Sequence, residues 1–133
     1  MAARSAPTVR PVDPFDLPDW VGEGLVTWRA SSSLDGSHVV TGELDGGSPD
    51  RALTCDVLAC DPAYPLPVLS EAWRHDAHQA WVLGEVLCVA YDERLTLVCP
   101  GIAVTAEPTL EAVRRLARAV GSKPERFTVA LRL

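Results

Sequence analysis

Between Ser70 and Gly84 the apolar residues fall at helical spacing. At about 100° per residue, Trp73, Ala77, Ala80, Trp81 and Gly84 gather on one side. Glu71, His75, His78, Gln79 and Val82 gather on the other. Ser70 is a good N-cap, and Gly84 suits the positive φ that ends a helix. The pattern predicts an amphipathic helix with two tryptophans to bury and a histidine-bearing back. A second helix is predicted from Pro108, in its first turn, to Gly121, which ends it. Leu110, Val113, Leu116, Ala117 and Val120 form its core stripe, and Glu111, Arg114, Arg115 and Arg118 its outer face.

Elsewhere the pattern is that of strands. Residues 24–30, 37–44 and 53–60 are rich in β-branched and apolar residues, separated by Asp35-Gly36 and by Asp45-Gly46-Gly47 with Pro49. They predict an antiparallel meander, and a rigid loop over 61–67 leads into the first helix. Residues 85–91 and 94–99 form a hairpin around Asp92-Glu93, with Val86, Cys88 and Ala90 on one face beside Leu95, Leu97 and Cys99. Apolar residues on both faces place this pair centrally in its sheet. A short strand over 102–105 and a closing strand over 127–133 complete the chain, Phe127, Val129, Leu131 and Leu133 alternating with smaller or polar residues. Residues 1–19, with prolines at 7, 11, 14 and 18, read as an extended arm with neither helix nor ladder. Residues 20–133 read as one domain. The expected fold is α+β: a mainly antiparallel sheet (β-meander, helix, β-hairpin, helix, C-terminal strand) with two helices packed on it.

Composition narrows the class. A chain of 133 residues with 47% apolar and 23% charged residues is globular. No apolar run approaches the roughly 20 residues of a membrane span, and the N-terminus lacks the apolar core of a secretory signal, so a cytoplasmic location is expected. A net charge of −6 argues against nucleic-acid and anionic-membrane partners. The cysteines at 55, 60, 88 and 99 contain no C-x-x-C, which points to reduced, buried thiols rather than a zinc or redox motif.

The candidate chemistry is sparse. Glu71, His75 and His78 fall within about 60° on one helix face, a plausible divalent-metal shell without an evident fourth ligand. The alternative is a solvated helix back. Arg114, Arg115 and Arg118, extended by Lys123 and Arg126, make a basic patch able to meet an acidic group. Phe15 and Trp20 either tie the arm down or offer a linear motif to a partner. No G-x-S-x-G, phosphate loop or histidine placed beside a nucleophile marks a catalytic residue.

The runs Pro14–Trp20, Glu71–Trp81 and Pro124–Leu131 resemble those of a family of small conserved hypothetical proteins of actinobacteria. The resemblance spans most of the chain after residue 12 and fits the use of arginine over lysine. It implies an origin and a cytoplasmic location and brings no activity with it. The leading expectation is a non-catalytic accessory or protein-interaction domain without a cofactor, which meets a protein partner or a second copy of itself. The alternative is a small-molecule or metal-binding protein, enzymatic or not, that uses the histidine face of helix 70–83.

Overall fold

The computed structural model describes residues 8–34, 36–61 and 69–132. Apolar runs become strands where their spacing predicts them, but the strands pair differently. In chain order the elements are β1 (Val9–Pro11), α1 (Trp20–Glu23), β2 (Val26–Ala30), β3 (Val39–Val40), β4 (Gly42–Asp45) and β5 (Ala52–Cys60). Then come α2 (Glu71–Val82), β6 (Leu87–Tyr91), β7 (Arg94–Pro100), α3 (Ala106–Ala119) and β8 (Phe127–Ala130). Single 3-10 turns at Pro14–Asp16 and Pro124–Arg126 precede α1 and β8.

The sheet is mixed, and among the described residues three helices accompany it, which corrects the expected antiparallel sheet with two helices. Its order is β1-β6-β7-β5-β4-β2-β8, with β3 also on β5. Two joins are parallel: β5 to β7, from Cys55 opposite Leu95 to Cys60 opposite Pro100, and β2 to β8, from Val26 opposite Phe127 to Arg29 opposite Ala130. Turn residues report only strands that are neighbours in the chain. The hairpin β6–β7 forms as expected, with Asp92 and Glu93 both at positive φ (49° and 67°). It docks through β7, its second strand, because α2 first carries the chain back along the sheet, and no local signal encodes that choice.

Both faces of the sheet's centre are covered. Cys55, Val57, Ala59, Leu97 and Cys99 face α3, which buries Thr109, Ala112, Val113, Leu116 and Ala117. Leu58, Cys60, Val89 and Val98 pack with Ala77 and Trp73 of α2. This explains why β5, β6 and β7 lack a polar face.

One side chain holds the meander open. The register of β3 and β4 on β5 is continuous, but the ladder is interrupted where Gly42 would face Cys55. There the fully buried Trp28 lies against Gly42 and donates from Nε1 to the Cys55 carbonyl (2.8 Å). The displaced Gly42 N–H donates instead to Oδ1 of Asp56 (3.2 Å). A Cβ on Gly42 would lie 2.5 Å from Trp28 Cε2, so only glycine admits the indole here. Asp56 is 6% exposed and also takes a fork from Arg94, Nε to Oδ2 at 2.7 Å and Nη2 to Oδ1 at 2.9 Å.

Three further expectations change. Residues 9–11, assigned to an arm that cannot join a ladder, form an edge strand on β6, where Pro11 is tolerated because its missing N–H lies outside the pairing. Residues 102–105 form no strand; the chain turns at Gly101 (φ 132°) and buries Val104 before α3. The last strand stops at Ala130. Residues 1–7 of the arm, Asp35 of the first turn, most of the predicted loop 61–67 and Leu133 lie outside the described residues.

Candidate functional site

Helix α2 begins where Ser70 Oγ accepts the Trp73 N–H (3.3 Å) and ends before Gly84 (φ 82°). Glu71 and His75 are exposed, as predicted. His78 is not on the outer back. It leans toward the sheet, half-buried, with Nε2 3.2 Å from the Cys60 carbonyl. A carbonyl only accepts, so Nε2 carries the hydrogen. Among the described residues, Glu71, Arg74, His75 and His78 line one concavity of about 520 Å³. Arg74 is the member that the helical wheel passed over. It stands four residues before His78, on the flank between the two predicted faces, and that spacing was the available signal. Its Nε is shut off from solvent, and among the described residues no hydrogen-bond acceptor reaches it. Among the described residues no group of three or more His, Cys, Asp or Glu is gathered closely enough to hold a metal ion.

The arginine stripe divides. Arg114 and Arg118 are exposed, and Arg118 lies 3.8 Å from Glu111. Arg115, assigned to the outer face, has a side chain only 13% exposed. Its guanidinium sits 3.7 Å over the Trp81 ring, bonds Glu111 (3.1 Å), and donates from Nη1 to the Trp81 and Glu85 carbonyls (2.8 and 2.9 Å). It closes the C-terminal end of α2, where the last carbonyls have no helical partner. Its Nε and Nη1 are thus engaged within the chain.

The turn at Pro14–Asp16 is built differently from an arm. Asp13 Oδ1 accepts the Phe15 N–H (2.9 Å), Asp13 O accepts from Asp16 N (2.9 Å), and Pro14 fixes the backbone at the first position. On either side the chain is anchored: β1 is paired to β6, Val12 N donates to Cys88 O (3.0 Å), and Leu17 and Trp20 pack on the core. Trp20 is thus half-buried and lies against Gly46. Phe15 alone is held out, 79% exposed, at the rim of a cavity of about 160 Å³ that Leu17, Pro18, Glu23 and Val120 also line. Asp13, Asp16, Asp19 and Glu23 are exposed around it, and no lysine or arginine occurs between residues 13 and 23.

The thiols do not form a reactive centre. All four are free and buried. Burial pushes the Cys60 thiol up to about 11 and those of Cys88 and Cys99 up to about 12, and it raises Cys55 well above the ordinary value. A thiol so held stays protonated at neutral pH and is a poor nucleophile. Asp56, the buried carboxylate that spacing alone left without a role, is committed to Arg94 and Gly42.

No helix among the described residues is long and apolar enough to cross a membrane. No family model, curated protein or solved structure matches the chain.

Proposed function

We propose that this chain is a non-catalytic, cytoplasmic protein-interaction domain whose contact point is the turn bearing Phe15. One observation carries the reading: a large aromatic side chain, 79% exposed, projects from a backbone pinned on both sides. Exposing an aromatic forgoes roughly 1.5–3 kcal/mol of burial, and rigid aromatics set beside a pocket are the usual anchors of protein interfaces. Because the turn is already ordered, little entropy is lost when it docks. The four surrounding acids favour a partner segment that carries arginine or lysine beside an apolar residue. They also disfavour a second copy of the same turn and nucleic acid. The four free thiols fit a reducing, cytoplasmic setting.

The test is selection of random displayed peptides on the immobilised full chain. The reading expects recovered sequences that pair a basic residue with a leucine or aromatic residue and that compete with one another for one site. Recovery of acidic sequences, or binding that a Phe15→Ala chain retains in full, would sink it.

A further inference from the structure

The concavity beside α2 has a charge that does not suit the cation its histidines first suggest. Of its four described walls, Arg74 is cationic, His75 and His78 bring imidazoles, and only Glu71, which is exposed, is anionic. A divalent ion would have to sit beside the Arg74 guanidinium, while an anion would be attracted by it. We infer that this concavity binds a small phosphate-bearing molecule through Arg74, with His75 and His78 as additional hydrogen-bonding groups.

Three features carry the inference. The Arg74 Nε–H is buried and among the described residues no acceptor reaches it, which leaves a fork-shaped donor unused on one edge. Turning the Nε–Nη edge into the adjacent concavity would relieve that unmet donor, and a phosphate oxygen pair matches the fork. Second, His78 spends its Nε2–H on the Cys60 carbonyl, which fixes the ring and leaves Nδ1 as its only uncommitted polar atom. Nδ1 can accept a hydrogen bond from a monoprotonated phosphate. Third, the volume of about 520 Å³ is that of a small-molecule pocket rather than of a single ion.

The experiment titrates inorganic phosphate into the isotopically labelled full chain and follows the Arg74 Nε–H and the two imidazoles by NMR. Acetate and chloride at matched ionic strength, and zinc chloride, serve as separate arms. The expected result is a saturable shift of the Arg74 Nε–H and the His75 and His78 rings with phosphate, with acetate and chloride at least about tenfold weaker. Arg74→Lys, which keeps the charge and loses the fork, should weaken phosphate by about tenfold with the circular dichroism spectrum unchanged. Phe15→Ala should leave it unaltered. Three outcomes would overturn the inference: no saturation with phosphate, a phosphate shift that Arg74→Lys does not change, or zinc alone moving both imidazoles at one ion per chain. The wild-type Arg74 signal decides the matter even if the variant does not fold.

Discussion

Replacing Gly42 by alanine tests the most specific feature of the fold, the insertion of Trp28 into the β4–β5 ladder. The new Cβ would fall 2.5 Å from Trp28 Cε2 and 2.9 Å from Nε1, well inside contact distance. Neither β4 nor the indole can yield freely, since Gly42 lies between β2 and β5 and Trp28 is fully buried. Overpacking of this kind costs about 1–3 kcal/mol. If the ring retreats, the Cys55 carbonyl loses its Nε1 donor, which adds about 1–3 kcal/mol for a buried acceptor left unmet. The sum, about 2–6 kcal/mol, is a large share of the ~5–15 kcal/mol that holds a domain together. Trp28→Phe removes the donor and shrinks the ring, and should itself cost about 1–3 kcal/mol. In that background the added methyl has more room, so Gly42→Ala should be cheaper there by about 1–2 kcal/mol. Urea unfolding followed by circular dichroism measures all four chains. A Gly42→Ala chain within about 0.5 kcal/mol of wild type, the scatter of a neutral surface change, would refute the lock.

Other perturbations separate structural from exposed charges. Arg115→Ala should destabilise by about 2–4 kcal/mol through loss of the Trp81 stack and of two carbonyl bonds, while Arg114→Ala and Arg118→Ala stay within about 0.5 kcal/mol; urea midpoints distinguish them. Arg94→Met leaves the Asp56 carboxylate buried with only the Gly42 N–H. Because the Arg94 side chain is 42% exposed, the loss should fall below the ~3–5 kcal/mol of a fully buried pair, at about 2 kcal/mol in the same assay. The thiols make stability fall at alkaline pH. Each folded-state value lies above the ordinary value of 9, so from about pH 9 upward the unfolded chain loses thiol protons that the native chain keeps. Stability is therefore intact below pH 9 and declines as pH rises toward 11–12, by up to ~1.4 kcal/mol per unit for each thiol, and a Cys88→Ala chain should show a shallower decline.

Much of the fold is legible in the chain because local signals agree with it. Ser70 and Gly84 bound α2, Gly121 follows α3, and Asp92-Glu93 closes the hairpin, all as periodicity and turn chemistry indicate. The pairings that escape are those between distant segments. Val26 beside Phe127 and Cys55 beside Leu95 depend on where α2 and α3 set the chain down, and β-strand patterns carry no address. The same limit governs the sites. A helical wheel places Arg115 outside because it sees only α3, whereas the α2 terminus supplies the carbonyls and ring that bury it. It places His78 outside because it cannot see the Cys60 carbonyl. Phe15 and Trp20, which the sequence leaves open between anchoring the arm and meeting a partner, divide: the Asp13 cap and Pro14 hold Phe15 out, while Leu17 and Trp20 pack on the core.

The central claim is that Phe15 is a binding anchor. Its most direct test is calorimetric titration of one display-selected peptide into the wild-type chain and into the Phe15→Ala chain, with unfolding midpoints compared first. The account predicts nearly equal stability, since Phe15 is 79% exposed, and a loss of affinity of about thirtyfold or more, the mark of a hot-spot residue at ~2 kcal/mol. Equal affinities for the two chains would contradict it.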